Sequence, residues 1–183
     1  MAHVCPWWFV KSFDNRIRRM LHKPEQIFGE AVRPGMHVVD VGCGAGFNTE
    51  GLARLVGSEG VVVAVDLQSQ MLAMTQRRLE RAGLLERAEL IEASADDLGL
   101  GNERRFEFAT AFWMVHEVPD PEKLFEQLRN VLEAGASLLV CEPKLHVSKR
   151  AFEASVQAAI RAGFEEGARP SVALSHAVRL LRK

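Results

Sequence analysis

From Pro24 onward, short apolar runs alternate with stretches of helical periodicity. Residues 36–41 (MHVVDV) are rich in β-branched side chains and run into glycines, the pattern of a buried strand. Residues 48–55 place Leu52 and Leu55 at helical spacing, with Gly57 just past the end. A second buried strand is predicted over 61–65 and closes on Asp66. A helix follows over 69–82, with Met71, Leu72, Thr75 and Leu79 on one face and Gly83 as its stop. The pattern then predicts strands over 88–93 and 106–113, and an amphipathic helix over 121–132 with Pro121 in its first turn. A strand over 137–141 and a helix over 148–162 come next, and strands near 164–169 and 176–181 close the chain. Elements alternating at this pace predict an α/β fold with a mostly parallel sheet and helices on both faces. Open sheets of this kind take ligands at the carboxyl ends of their strands.

Composition narrows the reading. At 183 residues, with 48% hydrophobic and 26% charged, the chain is expected to form one domain with a real core. Residues 1–23 differ from the rest, being aromatic at Trp7, Trp8 and Phe9 and basic at Arg16, Arg18 and Arg19. They are expected to be an appended segment beside a domain spanning 24–183. A net charge of -1 offers no field for backbone-driven nucleic-acid binding, so no nucleic-acid partner is expected. No run reaches the ~18 apolar residues of a membrane span, and no secretory leader is recognised. Three cysteines without regular spacing predict reduced thiols in a cytoplasmic protein. The sequence carries no signature of an oligomeric state.

The strongest chemical signal is the loop Asp40-Val-Gly42-Cys43-Gly44-Ala-Gly46, between a predicted strand and a helix. Glycines there permit a tight turn and bring a ligand against bare backbone. The spacing is G-x-G-x-G, one residue short of the G-x-G-x-x-G dinucleotide fingerprint, which argues against a nicotinamide-dependent reductase. No G-K-[ST] follows, so it is not a P-loop. Asp66 ends the second strand, 20 residues beyond Gly46, where a carboxylate accepts hydrogen bonds from ribose hydroxyls. Leu67 and Met71 are expected to flank an apolar slot for a base. The combination predicts a nucleoside ligand carrying a polar, non-phosphate group.

At these residues the chain resembles the class I S-adenosylmethionine-dependent methyltransferases, in particular small ones similar to ubiquinone/menaquinone C-methyltransferases. The stretches that carry the resemblance are VVDVGCGAGFNT, VVAVDLQSQML and FEFATAFWMVHEVPDPEKLFEQLRNVLEAGASLLVCEP. It implies a Rossmann-like, doubly wound, seven-stranded sheet with an antiparallel C-terminal strand. It implies S-adenosyl-L-methionine as cofactor, with Gly42, Cys43 and Gly44 against its methionine part and Asp40 toward its ammonium. Asp66 would hold the ribose, Leu67 and Met71 the adenine face, and the backbone of Ala111 and Phe112 the amino-acid end. Ser94, followed by Ala95, stands where many relatives have an aspartate for the adenine amino group.

Methyl transfer needs alignment of a nucleophile behind an already electrophilic methyl, and a base only for a poor nucleophile. His116 is the first candidate for that base, because histidine titrates near neutral pH. Trp113, His116, Glu142 and His146 follow the fourth and fifth strands and are candidate acceptor contacts. The connection after the fifth strand is short, so Trp7 and Trp8 are candidates for a lid supplied by the N-terminal segment. Cys5, Cys43 and Cys141 match no zinc spacing and read as small apolar residues; no metal is expected. The expected reaction is methylation of a small-molecule acceptor. The alternatives are a protein or RNA methyltransferase, which neutral charge and the lack of an Asn-Pro-Pro-Tyr-like motif disfavour, or a non-catalytic binding protein.

Overall fold

The computed structural model of the protein describes residues 22–183, so Cys5, Trp7, Trp8 and most of the expected N-terminal segment lie outside the described residues. The apolar runs assemble into a seven-stranded sheet of order β3-β2-β1-β4-β5-β7-β6. Its strands are β1 (His37–Val41), β2 (Val61–Asp66), β3 (Ala88–Glu92), β4 (Phe106–Phe112), β5 (Leu132–Pro143), β6 (Phe164–Glu166) and β7 (Ser175–Arg182). The first five are parallel, and β7 runs antiparallel to both β5 and β6. This is the Rossmann-like sheet that the resemblance implies.

The helices are α1 (Pro24–Phe28), α2 (Phe47–Leu55), α3 (Ser69–Ala82), α4 (Pro121–Val131) and α5 (Lys149–Arg161). Side chains cap two of them: Asp120 accepts from the amide of Lys123, and Ser148 from that of Ala151. Gly83 closes α3 in the left-handed conformation at φ 66°. No helix among the described residues is long and apolar enough to cross a membrane.

Strand alternation divides the core between two faces. On one face Phe125 and Leu128 of α4 and Phe152 and Val156 of α5 pack on Val39, Val41 and Val140. On the other, Phe28, Leu52 and Leu79 from α1, α2 and α3, with Val56 just past the end of α2, pack on Val38, Phe108, Leu139 and Cys141. The α1–α2 contact is close at Gly51, where a Cβ would lie 2.1 Å from Cβ of Pro24. Gly51→Ala should therefore cost about 1–3 kcal/mol, the usual range for overpacking, read from the urea midpoint at unchanged slope.

Most boundaries lie within a residue of the sequence pattern; β6 ends at Glu166, three residues before the expected 169, and the start of β5 and the end of β4 differ for reasons visible in the backbone. β5 begins at Leu132 rather than at 137, because that residue ends α4 already extended (φ -77°, ψ 147°) and pairs with Phe106. The register then jumps, Phe108 pairing with Ser137, so the intervening Glu133-Ala-Gly-Ala136 forms an irregularity inside the strand. β4 ends at Phe112, one residue early, because Trp113 turns into the left-handed region at φ 62°.

Candidate functional site

β1 sits centrally, between β2 and β4; the chain runs from it through β2 to β3 on one side and crosses back to β4 on the other, and this reversal opens a crevice at its carboxyl end. The loop 42–46 leaves β1 there. Val41 is level with Val65 and Ala111, which places Asp66 and Phe112 at either flank of the loop. The amides of Gly42 and Cys43 donate to Val65 O at 2.8 and 3.0 Å. Gly42 has φ +67°, and a Cβ there would lie 2.7 Å from Cγ of Met114, so the loop rests directly on the chain beyond β4. Gly46 has φ +75° and abuts Thr75 of α3. Thr75 also donates to Gly44 O at 2.9 Å, and Arg78 Nε to Ala45 O at 2.8 Å, which fixes the loop from outside.

Asp66 is 9% exposed. Its two carboxylate oxygens accept from the amides of Gln68 and Gly44, both at 2.9 Å. Burial pushes this carboxyl above its ordinary range, and those amides only partly offset the effect. Asp40 is fully buried and accepts from Thr49 Oγ1 at 2.6 Å. Burial first, then the charges of Asp40 and Asp66, push the Cys43 thiol well up. The loop thus lies in a negative field, which favours a cationic ligand and repels a pyrophosphate. The Oδ1 of Asn48, buried just beyond the loop, has no hydrogen-bond partner among the described residues, leaving an acceptor for a donor on the ligand. A Cβ at Gly44 would meet nothing within 4 Å, so its backbone is open to an approaching group. An open, anionic, backbone-lined loop fits the sulfonium, ammonium and ribose hydroxyls of S-adenosylmethionine.

The other predicted cofactor residues have these places. Leu67 is exposed at the rim and Met71 is buried in the first turn of α3. Ser94 and Ala95 are exposed beyond β3, with the Ser94 amide donating to Asp97 O at 2.9 Å. Ala111 and Phe112 are buried at the end of β4. Sequence reasoning placed Thr75 on the inner face of its helix with no site role, and did not single out Thr49 or Asn48. Their signal was faint, a hydroxyl or amide within a helix.

On the acceptor side, the strand tips bring together three predicted residues and turn away a fourth. Glu142 ends β5 on the α4/α5 face and is 0% exposed. Its Oε1 accepts from the amides of Val115 (2.8 Å) and His116 (3.3 Å), in the 3-10 turn Val115–Glu117. Its Oε2 accepts from Nδ1 of His116. His146 sets its ring edge-on to His116, with centroids 4.9 Å apart. The hydrogen bond to Glu142 raises the His116 pKa, outweighing burial. The pair therefore stabilises the fold fully below the ordinary histidine value of ~6.5, and this fades as pH rises through the folded value. Trp113 instead packs on His22, 5.1 Å between centroids, and its Nε1 donates to Ser175 Oγ at 2.9 Å. Cys43 and Cys141 belong to different apolar clusters, and Cys5 lies outside the described residues. Among the described residues no group of three or more His, Cys, Asp or Glu is placed to hold a metal ion.

Comparison with known proteins agrees with this geometry. Residues 38–135 match the family model described as a methyltransferase domain. The ubiquinone/menaquinone biosynthesis C-methyltransferase of Cronobacter sakazakii is 34% identical over 122 residues, covering 67% of this chain and 47% of that protein. Its namesake in Vibrio vulnificus is 31% identical over 110 residues, covering 60% and 42%. The chain spans about half the length of the curated relatives it matches. A solved structure of a SAM-dependent methyltransferase from Aquifex aeolicus superposes with a TM-score of 0.87 at 25% identity, covering 98% of this chain and all of that one. With a matched domain reaching from β1 through the start of β5, the chain belongs to the class I, S-adenosylmethionine-dependent methyltransferase family.

Proposed function

We propose that this protein transfers the methyl group of S-adenosylmethionine to a small-molecule acceptor at the carboxyl ends of β1, β4 and β5. The observation that carries the reading is the buried, desolvated Asp66, clasped between two amides beside an open glycine loop. Asp66 would receive the ribose hydroxyls, exposed Leu67 would cover the adenine, and the loop 42–44 would lie along the methionine part. When bound, the cofactor supplies an electrophilic methyl on sulfur. The chain aligns the acceptor and excludes water. A small acceptor is supported by the relatives, named for ubiquinone and menaquinone biosynthesis, and by the net charge of -1.

The N-terminal segment joins the described fold at His22. That residue is buried against Phe112 and Trp113, and its Nε2 lies 2.8 Å from Ala173 O. The chain thus enters beside the tip of β4.

S-adenosylhomocysteine at a hundredfold excess over its Kd should stabilise the fold by about 2.7 kcal/mol. For a chain of this size that raises the melting temperature by roughly 5–10 °C in differential scanning fluorimetry. No shift at millimolar ligand would remove the cofactor reading. A shift without S-adenosylhomocysteine formation from S-adenosylmethionine and any acceptor would leave a binding protein.

A further inference from the structure

Oε1 of Glu142 accounts for the structural needs of the 3-10 turn, since it accepts the amides of Val115 and His116. Oε2 serves the His116 ring alone among the described residues. A carboxylate can only accept, so in the neutral ring Nδ1 carries the proton and Nε2 holds the lone pair. Nε2 stands 3.9 Å from Oε1 of Glu117, outside hydrogen-bond reach. The imidazole is 18% exposed, whereas its carboxylate partner is shielded almost completely. The turn that carries this ring adjoins the glycine loop, because Met114 lies against Gly42.

We infer that His116 and Glu142 form a proton-accepting dyad, with Nε2 of His116 as the base and Glu142 as the positioning residue, and that it serves a phenolic hydroxyl. This rests on the methyl-transfer reading above. Burying a carboxylate costs several kcal/mol, and a charge on the adjacent imidazole offsets that cost. A dyad that stabilises imidazolium matters only where the acceptor must give up a proton as it attacks. A thiol, with a pKa of about 8.5, is already partly ionised at neutral pH and needs little help. A phenol, near the tyrosine value of about 10, holds its proton but lies within reach of an imidazole base. The surroundings suit an aromatic ring: the His146 ring stands edge-on to His116, and Met114, at the head of the same turn, lies against Gly42.

In the transfer, the acceptor oxygen forms its bond to the methyl carbon while the carbon–sulfur bond breaks and its electron pair passes to sulfur. The hydroxyl proton goes to Nε2 of His116. The positive charge lost from the sulfonium thus ends on an imidazolium facing Glu142. The charged groups acting on His116 are Glu142 from β5 and Glu117 from its own turn, and His146 abuts it from the β5–α5 connection. No charged side chain of α5, which packs on the same turn, acts on it.

The test has two arms. In the first, the His116 ring is followed by NMR titration in the wild-type protein and in Glu142→Gln, without cofactor. The pKa should fall in the variant, and the rising limb of the pH–rate profile should move to lower pH with it. A limb and a titration that stay put would overturn the positioning role. In the second, S-adenosylmethionine is presented with a panel of phenols and with matching thiophenols and anilines. Methyl ethers of phenols should form, and His116→Ala should lower kcat by about 10²–10⁴-fold while still gaining thermal stability from S-adenosylhomocysteine. Turnover confined to thiophenols or anilines, no ether from any phenol, or a His116→Ala effect under about threefold would overturn the assignment. Loss of the S-adenosylhomocysteine shift in the wild-type protein would instead strike the underlying cofactor reading, so the two failures are distinguishable.

Discussion

Asp66→Ala should weaken S-adenosylhomocysteine binding by roughly 10–150-fold, equivalent to about 1.5–3 kcal/mol for lost charge-assisted hydrogen bonds. The carboxylate is buried and its oxygens are already oriented by the amides of Gly44 and Gln68, so little ordering remains to be done when a ribose arrives. The same burial predicts the opposite sign for the empty protein. The Asp66 pKa is raised in the fold, so its contribution to stability is present at pH below the unfolded value and is lost as pH rises through the folded one. The ionised form of this carboxyl therefore opposes folding. Asp66→Asn, which removes the charge but keeps an acceptor for only one of the two amides, should flatten the fall of the ligand-free melting temperature with rising pH while titration calorimetry shows weaker binding. Wild-type affinity in both variants would place the ribose elsewhere.

Phe125→Ala should be among the most damaging truncations in the core. Phe125 lies in α4 at 0% exposure, packed within the cluster that joins α4 and α5 to the sheet and edge-on to Phe164 at 6.4 Å. Removing such a ring costs about 3–5 kcal/mol, because the neighbours close only part of the cavity. Against a total of about 5–15 kcal/mol this is a large share, and the melting temperature should drop by roughly 6–20 °C. Phe125→Leu, which fills more of the space, should cost less in the same urea titration. A loss under about 1 kcal/mol for the alanine variant would mean that the core relaxes around the site.

Most elements were legible because their periodicity is strong and local. Helix α3 is read from its apolar face and its closing glycine, and its bounds agree with the pattern to the residue. The valine runs of β1 and β2 could be nothing but buried strands, and their carboxyl ends carry the glycine loop and Asp66 in consecutive units of the chain. The irregular β5 was less legible. Whether residues 133–136 form a turn or an excursion within a strand depends on the partner strand, here the jump in pairing between Phe106 and Phe108.

The acceptor side divides in the same way. His116 and Glu142 each stood out as polar residues after an apolar strand, but nothing local joins two groups 26 residues apart. Their contact exists because β4 and β5 are parallel neighbours ending side by side, and because alternation turns Glu142 to the α4/α5 face while Cys141 faces the other way. Trp113 shows the converse. Its position after β4 makes it a candidate acceptor contact, but only the left-handed backbone shows that its ring lies toward His22 and Ser175.

By itself, then, the sequence determined the order of elements, the class of sheet, and the glycine loop and acid at the strand ends for which a cofactor role is proposed, because these depend on side-chain period and on glycine's conformational range. The tertiary structure alone decided which polar groups meet, how far each is desolvated, and which way Trp113 points. Those depend on strand register and on burial, properties of neighbours that are distant along the chain.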